Sequence, residues 1–255
     1  MPDFTAENAK TWDRFVAAQP RAHFLQLSIW GKLKEAYGWQ SDRIILADRK
    51  LKITCGAQLL FRPLPFGLGT MAYLPMGPYY ASAALPEIAQ AMWYSIHQTA
   101  REHGAAFLKW EPGLYLDEAA PDPAAFRFRP SAQTIQPPRT IVIDITDGDD
   151  AIMARMNQGT RRKIRQSLKN GIRYYEAQGS HVATFTELMQ ATGERNDFGV
   201  HSADYYALAH KLFVPKSAAL IMAEHEGDPL AGVFVFAAGQ HAWYVYGASS
   251  SIKRD

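Results

Sequence analysis

The chain has 255 residues, of which 47% are hydrophobic and 20% are charged. That composition excludes a disordered or collagen-like chain, and the length suits one large domain or two smaller ones. The 27 basic and 25 acidic residues nearly cancel, so the overall charge indicates neither a nucleic acid nor an anionic surface as a partner.

The N-terminus, the apolar runs and the cysteine content favour a cytoplasmic location. Residues 1–7 lack the basic and apolar regions of a secretion signal. The most apolar stretch, residues 230–238, is far shorter than the roughly 20 residues that a membrane-spanning helix needs. Cys55 is the only cysteine, so the chain cannot form an internal disulfide and we expect a reducing compartment.

The first half of the chain predicts helices that precede and follow a group of strands. Apolar residues three and four apart, among them Trp12 and Val16, predict a first helix, and Ser28 is placed as the N-cap of a second helix that ends at Gly38. Short β-rich runs then predict an antiparallel meander, which an amphipathic helix and another strand follow. The predicted strands are 43–47, 53–62, 71–74 and 105–110, and the predicted amphipathic helix is 86–103.

The second half begins after a connector at residues 117–138, where five prolines allow at most a short helix. Strands are predicted at 140–145 and 172–177, helices at 149–170, 182–196 and 203–213, and a closing meander at 218–224, 230–238 and 241–247. Both halves combine helices with a meander, so we predict an α+β fold with a weak structural repeat.

The two halves differ in how they end. A helix and a strand follow the first meander, whereas only residues 248–255 follow the last one. One face of that last meander needs a covering layer. We therefore expect a chain truncated at its C-terminus; the alternative is that earlier helices of the second half cover the sheet.

The helix predicted at 149–170 carries a local excess of positive charge. Residues 151–175 include seven basic residues and no acidic one. Arg161, Arg165 and Lys169 share one helix face, and these three with Arg162 form what we call the basic ridge. The ridge favours binding to the phosphates of an RNA or a nucleotide, and a merely solvated helix face is the alternative. Apolar residues of this helix are predicted to point into a core, namely Met153, Met156, Ile164 and Leu168.

The common catalytic motifs are absent from the sequence. There is no phosphate-binding loop, no dinucleotide-binding glycine pattern, no His-Glu-x-x-His and no Gly-x-Ser-x-Gly. The histidines lack metal-ligand spacing, and Cys55 is interpreted as a buried apolar residue rather than a nucleophile. We therefore predict no metal and no cofactor, and a direct transfer between two bound substrates without a covalent enzyme intermediate.

Short motifs that follow one another through nearly the whole chain carry a resemblance to a known family. They are residues 24–30 (FLQLSIW) with Lys32 and Lys34, then 38–39, 74–78, 108–112, 136–140, 160–165 and 243–249. Each motif is weak alone, but the ordered set is specific. It resembles the Fem (FemABX) family of aminoacyltransferases, which form peptidoglycan bridges.

The resemblance implies two subdomains of the GNAT (acetyltransferase) fold, at residues 1–138 and 139–255, of which the second lacks its C-terminal elements. It also implies transfer of an amino acid from aminoacyl-tRNA to the side-chain amine of the third residue of a peptidoglycan stem peptide, on a UDP-linked or lipid-linked precursor. The expected partners are therefore aminoacyl-tRNA, which the basic ridge would contact, and the precursor. No transmembrane segment is expected, and peripheral contact with a membrane stays open.

The resemblance also implies roles for two residues of the first half. Lys34 would meet the diphosphate of the precursor, which suits its point charge. Glu111 stands where the family has an acidic residue near the acceptor amine, and would orient or help deprotonate that amine. A cap or turn partner before Pro112 is the alternative for Glu111.

In the second half, the resemblance implies roles for three aromatic residues. Tyr205 matches a precursor-binding tyrosine, and His201 lies near the position of a family arginine that this sequence replaces. Tyr246 lies on a strand that faces the expected cleft and is the second catalytic candidate, with a plain core residue as the alternative.

Two other functions remain open at this point. One is an acyl-CoA-dependent N-acetyltransferase, because residues 62–69 superficially resemble a pyrophosphate-binding loop, although residues from 71 onward predict a strand and not the helix that such a loop needs. The other is an inactive tRNA-binding fragment. Family members continue with a helix, a strand and a lysine that helps stabilise an oxyanion, none of which is found in this chain, so we expect its activity to be impaired.

Overall fold

The computed structural model describes residues 6–81, 86–115, 118 and 122–252. Residues 117 and 119–121 of the predicted connector and residues 253–255 lie outside this part of the chain. The described chain divides into two compact units, residues 1–134 with 236–243 and residues 135–235 with 244–255. A subdomain boundary at 138/139 stays a prediction.

The first unit contains a five-stranded sheet. Strands β1 (Gln40–Ala47), β2 (Ile53–Pro63) and β3 (Thr70–Pro75) form the predicted antiparallel meander. The short strand β4 (Tyr79–Tyr80) pairs with β2, and β5 (Ala105–Glu111) lies parallel to β3. The helices of this unit are α1 (Ala6–Ala17), α2 (Ser28–Glu35) and α3 (Pro86–Glu102).

The core of the first unit lies between α3 and the sheet. Met92 and Ile96, one turn apart on α3, are fully buried against apolar residues of β2 and β3. Cys55 on β2 belongs to this cluster and is fully buried, which confirms that it is a core residue. Burial raises the pKa of its thiol and keeps it protonated.

A pair of buried glutamines connects the segment before α2 to the sheet. The Gln26 amide nitrogen donates to the carbonyls of Gln58 (3.0 Å) and Pro75 (2.5 Å), and its oxygen accepts the Gln58 N–H at 2.8 Å. The Gln58 amide nitrogen donates to the carbonyls of Leu25 and Leu27 at 3.2 and 2.9 Å. Both side chains are fully buried, so these bonds satisfy backbone groups that water cannot reach.

Helix α2 begins at Ser28, and its N-cap is Leu27. The prediction that Ser28 is the cap is therefore wrong. The Ser28 N–H and Oγ both donate to the Asp13 carboxylate, at 2.7 and 2.6 Å. A carboxylate of α1 thus satisfies a donor at the start of α2, which removes the need for a local cap.

The second sheet has the strand order β6 (Arg173–Glu176), β7 (Ala218–His225), β8 (Asp228–Ala238) and β9 (His241–Ser249). The helices are α4 (Asp149–Arg155), α5 (Gln158–Lys169), α6 (Val182–Asn196) and α7 (Ala203–Phe213). The limits of α6 and α7 agree with the prediction because each helix buries a regular apolar face. Two separate sheets with helices confirm the predicted α+β class.

The end of β8 and the start of β9 belong to the first unit. The His241 ring nitrogen Nε2 lies 2.7 Å from the carbonyl oxygen of Pro20. The Trp243 ring lies 4.2 Å from the His23 ring, and the Phe236 ring lies 5.1 Å from the Phe24 ring, centroid to centroid. These contacts place residues 236–243 against the segment between α1 and α2.

Three predictions for residues 140–170 are wrong. Residues 140–145 form no strand, and Ile141 is 88% exposed, because no neighbouring strand pairs with this segment in the described structure. The single helix predicted at 149–170 is two helices, since Met156 is extended and the Asn157 side chain caps α5 by accepting the Thr160 N–H at 2.8 Å. No residue of α4 or α5 is buried, and Leu168, which was predicted to enter a core, is 67% exposed.

Candidate functional site

In the first unit, Lys34 lies among aromatic and basic side chains. Its Nζ stands 4.6 Å from the centroid of the Trp30 ring. Trp39, whose N–H donates to the Lys34 carbonyl at 3.3 Å, carries the Arg62 guanidinium 5.4 Å from its own ring centroid. Two cations supported by two tryptophans suit an anionic group such as a phosphate.

Burial, and secondarily the charge of Arg62, lower the pKa of Lys34 to about 8. The lysine is therefore mostly charged at pH 7, and the partial burial of that charge destabilises the folded chain. An anion bound beside Lys34 would favour the charged form and raise its pKa again.

We expect Lys34→Met to raise the free energy of unfolding at pH 7 by about 1 kcal/mol, because it removes a partly buried charge. The pKa of Lys34 is about 8 in the folded chain against 10.5 ordinarily, so the unfolded chain binds more protons between these values. Stability of the parent chain should therefore rise with pH across that window, and the variant should lack this rise. Urea unfolding at about pH 7 and about pH 9.5 measures both effects. Lys32→Met, at an exposed position of the same helix, is the control; equal pH dependence of Lys34→Met and the parent would contradict the prediction.

Glu111 is the last residue of β5, and its carboxylate is held by a tyrosine of the neighbouring strand. The Tyr73 Oη donates to Glu111 Oε2 at 2.5 Å. Tyr73 is 3% exposed and Glu111 is half-buried, so the bond lies where little water competes. The parallel register of β3 and β5 pairs Pro75 with Glu111 and thereby brings Tyr73 beside it. This short hydrogen bond fixes the orientation of the carboxylate.

In the second unit, α7 and β9 bring three of the predicted residues together. The Tyr205 and Tyr246 hydroxyls lie 3.1 Å apart. The His201 ring stacks on the Tyr205 ring with centroids 3.8 Å apart and planes at 16°. Ser202 caps α7 by accepting the Tyr205 N–H at 3.3 Å, which fixes His201 in the turn just before the helix.

This aromatic cluster borders a cavity of about 300 Å³ that His201, Tyr206 and Tyr246 help to line. The fully buried Tyr206 supports it, since its hydroxyl accepts the His201 N–H at 3.3 Å and its ring meets the Tyr246 ring edge-on at 5.3 Å. Burial raises the pKa of Tyr246 to about 12. The Tyr246 hydroxyl is therefore protonated near pH 7 and suits donation of a hydrogen bond rather than removal of a proton.

The basic ridge lies on α5, where Arg162, Arg165 and Lys169 are exposed. Arg161 is half-buried, and its guanidinium donates to the carbonyls of Met156 at 2.6 Å and Ala154 at 3.4 Å. These carbonyls belong to the end of α4, so Arg161 stabilises the junction between the two helices. The other three members of the ridge face solvent.

Three residues around these sites were not predicted from the sequence: Tyr73, Arg62 and Tyr206. Tyr73 and Glu111 meet through a parallel pairing between strands 38 residues apart at this position, which no local pattern reveals. Arg62 and Lys34 meet through the pairing of β1 with β2. One feature of the sequence could have indicated Tyr206, because it directly follows the predicted Tyr205 at the start of α7.

The described residues offer little for other chemistries. No helix among them is long and apolar enough to cross a membrane, and no group of three or more His, Cys, Asp or Glu side chains is placed to hold a metal ion. Residues 62–69 lead through a short 3-10 turn into β3 and not into a helix, as predicted. The helix N-terminus that would bind the pyrophosphate of coenzyme A is thus missing from this loop.

Comparisons with known proteins agree with one another. The model of the FemAB family matches residues 8–135 and 127–228. The lipid II:glycine glycyltransferase of Staphylococcus saprophyticus is 29% identical over 232 residues, which cover 86% of this chain and 55% of that protein. The enzyme of the same name from Staphylococcus aureus strain MRSA252 is 29% identical over 204 residues, 76% of this chain and 48% of that protein. The chain spans about half the length of these curated relatives. The crystal structure of FemX shares the fold, with a TM-score of 0.84 and 22% identity over 96% of this chain and 80% of that one.

Proposed function

Because the chain belongs to the FemAB family, we propose that it is an aminoacyltransferase, or part of one, that adds an amino acid to a peptidoglycan precursor in forming an interpeptide bridge. Two relatives are named lipid II:glycine glycyltransferase, which supports a precursor of this class as acceptor. The observation that carries the proposal is the oriented Glu111 carboxylate, which gives a transfer reaction a proton acceptor.

In the proposed reaction, the donor is aminoacyl-tRNA and the acceptor is the side-chain amine of the third stem-peptide residue. The amine nitrogen attacks the ester carbonyl, an amide bond forms, and the ester bond to the tRNA breaks. Glu111 takes the proton that the amine loses, and the released ribose hydroxyl gains one. Because charged tRNA is the donor, the reaction would take place in the cytoplasm.

The other predicted residues take binding roles in this proposal. Lys34 would hold the precursor diphosphate by charge. The exposed His201 ring would pack against the precursor, and Tyr205, which is 2% exposed and stacks on that ring, would hold it in place. Tyr246 would donate a hydrogen bond to an oxygen of the reacting groups, which its raised pKa permits.

The test is transfer of labelled amino acid from charged tRNA to the precursor, with several charged tRNAs and with the UDP-linked and lipid-linked forms. The proposal expects saturable transfer for at least one combination. No transfer in any combination, by a chain that is folded by circular dichroism, would refute the activity of this chain. Salt-dependent tRNA binding without transfer would instead support an inactive tRNA-binding fragment.

For the basic ridge, we expect the triple variant Arg162→Ala/Arg165→Ala/Lys169→Ala to weaken tRNA binding and to reduce the slope of log affinity against log salt by about 2 to 3, because each lost phosphate contact lowers that slope by roughly 0.7–0.9. Filter binding at several salt concentrations measures this slope. The matched control replaces three exposed basic residues of the β1–β2 turn, Arg49, Lys50 and Lys52, by alanine. An equal loss in both triple variants would show that binding follows general charge and not the ridge.

A further inference from the structure

The turn between β2 and β3 presents two apolar side chains to solvent. Phe66 is 98% exposed and Leu68 is 65% exposed. The Leu64 N–H donates to the Gly69 carbonyl at 2.9 Å and closes the turn, next to the pairing of Pro63 with Thr70. Exposure of one apolar side chain is ordinary, but two such side chains at the end of one hairpin form a small apolar tip.

The backbone holds this tip in a defined shape. Phe66 has φ +60°, in the left-handed region that a phenylalanine seldom adopts, and Gly67 and Gly69 have φ +69° and +89°. Two prolines of the same turn have their φ fixed by their rings. The Phe66 ring is therefore held outward at low entropic cost for any surface that covers it.

Cationic and aromatic groups lie directly behind the tip. Arg62 begins the hairpin segment and places its guanidinium 5.4 Å from the centroid of the Trp39 ring. Among the described residues no carboxylate forms an ion pair with Arg62, so its charge is available to bind an anionic group. Lys34 lies close enough for the Arg62 charge to lower its pKa. The hairpin therefore carries apolar side chains at its end and Arg62 at its base, where Arg62 lies beside Trp39 and near Lys34.

This arrangement matches the layers of an anionic lipid bilayer. Apolar side chains enter the boundary between headgroups and acyl chains, tryptophan prefers the headgroup level, and basic side chains meet the phosphates. A second protein surface could cover the apolar tip, but it would not explain the arginine and the tryptophan at the base of the hairpin. Charge complementarity therefore favours the bilayer.

We propose that the hairpin segment 62–69 docks on an anionic bilayer, with Phe66 and Leu68 inserted and Arg62 at the lipid phosphates. The docking goes beyond the proposed function, because it needs only the hairpin segment and an anionic lipid surface.

Cosedimentation of the full chain with vesicles tests the docking, with phosphatidylcholine vesicles compared with mixed phosphatidylcholine and phosphatidylglycerol vesicles. We expect binding to the mixed vesicles, a loss of about tenfold or more in Phe66→Ser/Leu68→Ser, since two apolar side chains no longer insert, and a loss in Arg62→Ala that is confined to the anionic vesicles. The matched control is Leu51→Ser, since Leu51 is 86% exposed with φ +60° in the β1–β2 turn at the other end of β2. Its binding should stay unchanged.

Three results would overturn the docking: a parent chain that binds no vesicles, a double variant that binds like the parent, or an equal loss in Leu51→Ser. Self-association that depends on Phe66, without vesicle binding, would show that a second copy covers the tip. The assay contains neither tRNA nor precursor, so it is independent of the transfer reaction. Transfer to the detergent-solubilised precursor without vesicle binding refutes the docking alone, and vesicle binding without any transfer refutes the function alone.

Discussion

Glu111→Gln is expected to lower the rate of amino-acid transfer by a factor of about 10² to 10⁴ without unfolding the chain. The glutamine has nearly the same shape, and its amide oxygen can still accept the hydrogen bond of Tyr73. It cannot take a proton from the acceptor amine at neutral pH. Single-turnover transfer from charged tRNA measures the rate of the chemical step, and circular dichroism checks the fold.

Tyr73→Phe is the matched control for this prediction. It keeps the Glu111 carboxylate but removes the hydrogen bond that orients it, so we expect a loss of about tenfold, well below that of Glu111→Gln. If both variants lose activity equally, the carboxylate acts only as part of a structural pair. If Glu111→Gln transfers at the parent rate, Glu111 has no role in the proton transfer.

Gln26→Met is expected to lower the free energy of unfolding by about 4 kcal/mol, the largest stability effect among these predictions. Methionine has a similar length, but it leaves the Gln58 N–H and the Pro75 carbonyl without their side-chain partner in a site closed to water. Each buried polar group left unpaired costs roughly 1–3 kcal/mol. Unfolding in urea, followed by tryptophan fluorescence, measures the loss.

The control for Gln26→Met is Gln98→Met on α3. Gln98 is exposed, and its amide nitrogen bonds only weakly to Glu102 at 3.3 Å, so this variant should change stability by less than about 0.5 kcal/mol. Equal effects of the two substitutions would contradict the role of the buried amide pair.

Patterns of neighbouring residues correctly predicted those helices and strands that their own apolar faces and flanking turns define. Helices α6 and α7 have regular apolar faces, and the strands of both meanders lie between recognisable turns, so their limits agree with the structure to within a few residues. Residues 140–145 show the opposite case. Their composition favours a strand, but a strand exists only beside a partner, and the described structure provides none.

Long-range partners explain the remaining differences. The Asp13 carboxylate replaces a local cap at Ser28, and the Arg161 guanidinium bonds to the end of α4 as well as belonging to the basic ridge. The sequence shows that Asp13 is acidic and that Arg161 is basic, but it does not show which groups they contact. The same holds for the candidate site: Glu111 was predicted from its motif, whereas Tyr73, which orients it, depends on the register of two parallel strands.

The assignment of residues 236–243 to the first unit affects the order in which that unit can be completed during synthesis. Phe236 and Trp243 pack on Phe24 and His23, more than 200 residues earlier in the chain. On the ribosome, a nascent chain that ends at residue 134 has every strand of the first sheet but must leave this aromatic patch uncovered. Such distant contacts slow folding because a long loop has to close before they form. A gene fragment cut at 134/135 would therefore encode an incomplete first unit.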